Sequence, residues 1–246
     1  MKVVILAGGK GERLRPLTEK IPKPMVKVGQ YPMIEHIIRK LKAFSLTDII
    51  ITLGYKGEVI KRYFKDGERF GVRIEYSFEP FPLGTAGAVK NCEKLIGGDF
   101  LVVSGDAFFD FDFDAFTEFH FDKGGLCTLA VKEVENVSRF GVVVTNDEGR
   151  IINFIEKPER SKIKTVNMGV YAMKREVLDL IPDGFFDFGK DLFPTLCGKM
   201  FAYKSDGYWS DVGTLTSLYM ANKFADSGVS VSYTHLRAHE TRHDLV

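Results

Sequence analysis

An apolar run, Val3-Val4-Ile5-Leu6-Ala7, ends at Gly8-Gly9, and Gly11 and Arg13 follow at once. Glycines placed there let backbone N–H groups face phosphate oxygens with no Cβ in the way. Arg13, Arg15 and Lys23 would supply side-chain cations, arginine as a planar fork and lysine as a point charge. A dinucleotide fingerprint fails in detail, because Leu14 stands where the third glycine belongs and Pro16 follows. A Walker A loop fails too, because Lys10 is followed by Gly11 and not by Ser or Thr. What remains is a phosphate-cradling turn of another kind, weighed against a plain strand-ending turn with solvated charges.

Two carboxylates stand near glycines. Asp106 closes Val102-Val103-Ser104-Gly105-Asp106, at the carboxyl end of a strand, where open sheets bind ligands. Asp211 lies far away, in Trp209-Ser210-Asp211-Val212-Gly213. The bland reading of Asp106 is a turn residue. Gly84-Thr85-Ala86-Gly87 opens a helix, where small residues let a base or ribose approach backbone N–H groups. Thr85 also suits an N-cap. Glu156-Lys157-Pro158 alone reads as a charged pair in a loop. Asn167 and Gly169 suit a sugar, since an amide both donates to and accepts from hydroxyls.

Taken together these segments form a pattern. Leu6-Ala7-Gly8-Gly9-x-Gly11-x-Arg13-Leu14-x-Pro16-Leu17-Thr18, then Pro22-Lys23-Pro24-Met25, resembles the signature of the sugar-1-phosphate nucleotidyltransferases. The resemblance runs from residue 1 to about residue 226. It recurs at Leu83 to Gly87, Ser104-Gly105-Asp106, Ile155 to Pro158, Asn167-x-Gly169 and Trp209 to Gly213, and is greatest to mannose-1-phosphate guanylyltransferases. It implies transfer of a nucleotidyl group from an NTP, with GTP favoured, to a sugar 1-phosphate, releasing pyrophosphate. It implies Arg13, Lys23, Asp106 and Asp211 as catalytic residues, with Asp106 and Asp211 on Mg²⁺. Leu6, Ala7, Gly8, Gly9, Gly11, Gly84, Thr85 and Ala86 would line the nucleotide. Lys157, Glu156, Asn167, Gly169 and Asp187 would hold the sugar phosphate. Many relatives carry an acid or Asn after the Gly-Asp pair, where this chain has Ala107. Glucose-1-phosphate uridylyl-, thymidylyl- and adenylyltransferases are the near alternatives. A non-catalytic nucleotide-sugar sensor would be expected to lack the cations or the acids, and all are present here.

The elements that must position these residues alternate. Strands are expected at 3–7, 48–53, 72–76 and 100–104, with helices at 32–44, 59–64 and from 84 through Leu95. That is an α/β, Rossmann-like, mostly parallel central sheet with helices on both faces. Strands at 126–131, 141–144, 151–155 and 166–173, with helices near 175–180 and 189–197, make a smaller α+β sugar-binding lobe. Asn146 to Gly149 reads as a hairpin turn. The resemblance implies the nucleotide-diphospho-sugar transferase fold. The rings of Phe108, Phe109, Phe111 and Phe113 read as core packing beside the metal loop.

Composition sets the outer bounds. Lys plus Arg number 34 and Asp plus Glu 33, a formal net charge of +1, which argues against nucleic-acid binding by bulk electrostatics. No apolar run approaches a bilayer span. Cys92, Cys127 and Cys197 show no paired spacing, so the cytoplasm is the expected compartment. Residues 1–228 are read as the catalytic domain. Residues 229–246, with His235, His239 and His243, look foreign to it and are set aside from fold reasoning. Relatives that continue into a left-handed β-helix or a sugar-phosphate mutase domain imply a homo-oligomer, weakened if this chain is truncated.

Overall fold

The apolar run near the N-terminus forms β1 (Lys2–Ala7), with Val3, Val4 and Ile5 fully enclosed. Each such side chain contributes roughly 1.5–3 kcal/mol by leaving water. A short ribbon, β2 (Lys27–Val28) with β3 (Tyr31–Pro32), precedes α1 (Met33–Ala43). Then come β4 (Asp48–Leu53), α2 (Gly57–Phe64), β5 (Arg73–Phe78), α3 (Gly84–Asn91) and β6 (Phe100–Ser104). β1 pairs in parallel with β4 on one side and β6 on the other, and β5 extends the sheet beyond β4. Ile34, Ile37 and Leu41 of α1 pack with Val3 and Ile5 on one face. Ala86 and Val89 of α3 pack with Val4 and Val102 on the other. The expected parallel sheet with two covered faces is therefore present. This computed structural model describes residues 1–227, so the expectation for residues 229–246 lies outside the described residues.

Beyond β6 the chain forms β7 (Ala107–Phe109) and α4 (Phe113–Lys123). Asp112 caps α4 by accepting from the Ala115 N–H at 3.0 Å. Phe108, Phe109, Phe111 and Phe113 are buried, as expected, and meet one another and their neighbours edge to face. The second lobe carries β8 (Cys127–Glu133), β9 (Gly141–Thr145), β10 (Ile151–Glu156) and β11 (Thr165–Met173). β9 and β10 form the expected hairpin, and the Asn146 side chain accepts from the N–H groups of Glu148 and Arg150 in its turn. β11 runs antiparallel to β6, β8 and β9, which joins both lobes in one sheet ordered β10-β9-β11-β6-β1-β4-β5. β12 (Met200–Lys204) adds to β8 in parallel, β13 (Trp209–Asp211) pairs with β7, and α5 (Leu215–Asp226) follows.

Three expected helices differ in form. α3 stops at Asn91, and Glu93–Leu95 is a separate 3₁₀ turn. Arg175–Leu180 is 3₁₀ throughout. Phe188–Leu192 is a wide π turn that tightens into a 3₁₀ turn, Phe193–Leu196, where Pro194 has no N–H to give. The sequence reading did not foresee α4, β7, β12 and β13. Among the described residues no helix is long and apolar enough to cross a membrane.

Candidate active site

A cleft of about 820 Å³ opens at the carboxyl ends of β1, β4, β5 and β6. Parallel strands place their loops there, so the site follows from topology. The glycine turn after β1 forms its floor. The Tyr55 N–H donates to the Gly8 carbonyl at 3.0 Å, and the Thr18 hydroxyl donates to the Gly11 carbonyl at 2.9 Å. Gly11 has φ +63°, and a Cβ on it would lie 2.6 Å from the Lys23 Cβ. No other residue type fits that bend without moving Lys23.

The two carboxylates meet. β7 and β13 pair antiparallel with Ala107 opposite Asp211, and the Val212 N–H donates to the Asp106 carbonyl at 3.3 Å. The Lys23 ammonium then bridges the pair, 2.6 Å from Asp106 Oδ2 and 3.0 Å from Asp211 Oδ1. The Ser104 hydroxyl donates to Asp106 Oδ1 at 2.7 Å, and Arg139 donates to Asp211 Oδ2 at 3.0 Å. Burial works against the Lys23 charge, but the two carboxylates outweigh it and hold its pKa above the usual lysine value. Burial likewise raises the Asp106 pKa, and the Lys23 charge with hydrogen bonds from Lys23 and Ser104 brings it below the usual range. Arg13 reaches the same place. A Cβ on Gly213 would sit 2.7 Å from Arg139 Nη2, 3.0 Å from Asp211 Oδ2 and 3.3 Å from Arg13 Nη2.

This donor set suits Mg²⁺. Two carboxylates lie on one ammonium, and a magnesium ion takes one or two carboxylates and completes its shell with phosphates and water. Among the described residues no group of three or more His, Cys, Asp or Glu side chains forms a complete protein cage.

Of the expected catalytic residues Arg13, Lys23 and Asp106 line the cleft, with Asp211 behind them on Lys23, and of those expected at the nucleotide Leu6, Ala7, Gly8, Gly9, Gly11, Gly84 and Thr85 do. Ala86 does not. It is fully buried, and its N–H donates to the Phe186 carbonyl at 3.0 Å. Thr85 does not cap α3, which corrects the capping expectation. It lies two residues past the cap position, Leu83, and the Phe186 carbonyl takes the N–H groups of Ala86 and Gly87 instead. The Thr85 hydroxyl donates to Asp187 Oδ2 at 2.9 Å and accepts from the Phe188 N–H at 2.8 Å.

Asp187 is the one residue of the expected sugar group that lines the cleft. Its Oδ1 accepts from the N–H groups of Gly189 and Lys190. Glu156 stands beside it, since a Cβ on Gly189 would overlap Glu156 Oε2. Lys157 is turned back on Glu156 Oε1 at 2.5 Å, and its N–H donates to the Phe140 carbonyl at 3.1 Å, next to Arg139. Asn167 is engaged within β11: its Oδ1 accepts from the Gly169 N–H, and its Nδ2 donates to the Tyr171 hydroxyl. Gly169 has φ +79° and packs against Ser104.

Residues 2–228 match the profile of the family described as Nucleotidyl transferase. The chain belongs to the nucleotidyl transferase family. Curated relatives within it include a UTP–glucose-1-phosphate uridylyltransferase of Synechocystis sp., 39% identical over 241 residues, covering 90% of this chain and 62% of that protein. A mannose-1-phosphate guanyltransferase of Aspergillus oryzae is 39% identical over 221 residues, covering 87% and 61%. The chain thus spans about three fifths of the length of these relatives. Among solved structures, one from Bacillus anthracis assigned as a glucose-1-phosphate thymidylyltransferase superposes with TM-score 0.84 at 31% identity, covering 92% and 95%. HddC from Yersinia pseudotuberculosis, complexed with GMP-PN, gives 0.80 at 29%, covering 91% and 98%. The nucleotidyl transferase fold expected from the motifs is the fold present.

Two residues of this family member escaped the sequence reading. Arg139 carries no local signal, because its partner Asp211 is distant in sequence. Glu79 had one: it directly follows β5 at the carboxyl edge of the parallel sheet. It lines the cleft, where a Cβ on Gly8 would overlap its carboxylate. Burial raises its pKa above the usual range. Phe81 and Phe185, 57% and 64% exposed, stand at the cleft mouth.

Proposed function

We propose that the protein transfers a nucleotidyl group from GTP to mannose 1-phosphate, giving GDP-mannose and pyrophosphate. The observation that carries this reading is the meeting of Asp106, Asp211, Lys23 and Arg139 beside the glycine turn. A phosphate oxygen of the sugar phosphate attacks the α-phosphorus in line, the new P–O bond forms, and the α–β bridging bond breaks to release pyrophosphate. Such a reaction needs two polyanions held in register and their charge neutralised. Backbone N–H groups of Gly8, Gly9 and Gly11 cradle the phosphates, and the Arg13 fork grips the leaving portion. The Lys23 ammonium answers the charge that builds on the α-phosphate. Lys157 leaves Glu156 to meet the sugar phosphate, and Glu156, Asn167, Gly169 and Asp187 surround the sugar. Asp106 and Asp211 would hold Mg²⁺, which would supply Lewis-acid chemistry there.

Glu79 supports guanine. Guanine offers N1–H and the 2-amino group side by side, which a carboxylate accepts together. Uracil and thymine offer one N–H flanked by two carbonyls, which a carboxylate repels. The GMP-PN complex of HddC and the guanyltransferase relatives point the same way. Pyrophosphate release measured for each NTP with each sugar 1-phosphate tests the reading. Fastest release from UTP with glucose 1-phosphate would replace it with the uridylyl reaction, and none from any pair would remove the enzyme reading.

A further inference from the structure

The carboxylate pair already has its counter-ions. Asp106 faces Lys23 and Ser104, and Asp211 faces Lys23 and Arg139. Two negative charges thus meet two positive ones, and Arg13 stands alongside at Gly213 as a third cation. No net negative charge is left to draw in a free divalent ion. The Lys23 side chain is only 9% exposed, and its tip fills the space between the two carboxylates. Its root is fixed, because its Cβ packs on Gly11. Beyond that root the side chain lines the same cleft as the glycine turn.

We propose that Lys23 is the resident counter-ion of Asp106 and Asp211, closing the pair to free divalent cations until the phosphates of a bound nucleoside triphosphate draw its ammonium away. Arg139 stays on Asp211 as a positioning residue. Binding is therefore ordered: the metal enters with the nucleotide and not before it. The order follows from charge, since a triphosphate carries more negative charge than the carboxylate pair and offers oxygens on the cleft side. The inference rests on reading Asp106 and Asp211 as the metal carboxylates.

The test is Mn²⁺ binding to the full chain, followed by loss of the free-ion electron paramagnetic resonance signal. Without nucleotide, Lys23→Met should bind Mn²⁺ at least tenfold more tightly than the wild type, and adding Asp106→Asn to it should abolish that gain. Equal or weaker binding by Lys23→Met, in a protein whose nucleotide complex does take up Mn²⁺, overturns the counter-ion role alone. No uptake by any form, with or without a non-hydrolysable GTP analogue, removes the metal reading and this inference with it. Should Lys23→Met fail to fold, wild-type crystals soaked in Mn²⁺ alone and in Mn²⁺ plus the analogue decide the matter. An anomalous peak between the carboxylates is expected only in the second soak, with the Lys23 ammonium moved. A peak in the first, with Lys23 still bridging, overturns the proposal.

Discussion

Asp211 sits directly across from Ala107 in the β7–β13 ribbon, and that register delivers its carboxylate to Asp106. Side chains on a strand alternate between faces, so a slip of one residue would turn Asp211 away. The ribbon, three residues on each strand, is thus what assembles the site from two distant motifs.

Replacing either carboxylate should show this. Asp106→Asn and Asp211→Asn are expected to lower pyrophosphate release by roughly a hundredfold or more, in line with loss of a preorganised charge at a transition state. Circular dichroism should stay native, because asparagine keeps the shape. Wild-type turnover in either variant would refute the assignment.

Arg139 should act through Asp211. Arg139→Met is expected to lower kcat while leaving the KM for GTP nearly unchanged, and Arg139→Lys to recover part of the loss. A purely structural role would instead lower Tm and be insensitive to which cation is restored.

How much of this was legible beforehand depends on distance along the chain. β1, β4 and β6 are continuous apolar runs, and a strand buried on both faces has no other signature. The glycine turn, Lys23 and Asp106 announce themselves through local spacing. β13 does not: Trp209, Ser210 and Asp211 are all half-buried, so no alternation marks them as a strand. α4 mixes Phe116, Phe119 and Phe121 with Asp and Lys around its circumference, and Phe121 is exposed, so its apolar stripe is blurred. Arg139 acquires meaning only from the partner that folding brings to it, whereas Glu79 carries a positional cue, its place directly after β5.

Glu79 should govern the base. Glu79→Gln is expected to cut kcat/KM for GTP about 10- to 100-fold, the worth of hydrogen bonds to a charged acceptor. The loss with UTP should be smaller, or reversed, since the amide donates to a carbonyl. A parallel NTP panel on both proteins checks this, and an unchanged preference would dismiss Glu79.

Thr85→Val keeps the volume of Thr85 and removes its hydroxyl. The Phe188 N–H then loses its acceptor and Asp187 loses a donor. A stability loss of about 1–3 kcal/mol is expected in urea unfolding. The KM for the sugar phosphate should rise more than that for GTP, because Asp187 is freed.

Acid should weaken the fold through two histidines. Burial holds the pKa of His36 and of His120 below the ordinary value near 6.5. His120 is 1% exposed, with Nδ1 2.8 Å from the Thr128 hydroxyl and a buried Nε2 that has no partner. The unfolded chain binds protons first, so stability is full above pH 6.5 and declines as pH falls below it. His120→Phe should flatten this limb by up to ~1.4 kcal/mol per pH unit. An unaltered slope in denaturant melts from pH 7 to 5 would exclude His120 as a contributor.

β11 is hydrogen-bonded to β6 on the nucleotide side and to β8 and β9 on the sugar side. A single ladder is stitched through both halves, so a jaw-like swing between them would have to bend or break its strand pairing. Gripping and letting go of substrate are then expected of the rim, where the exposed Phe81 and Phe185 line the cleft. Grafting a disulfide between the stretches bearing those two rings should therefore arrest the catalytic cycle, whereas stiffening the ladder itself should leave its pace untouched.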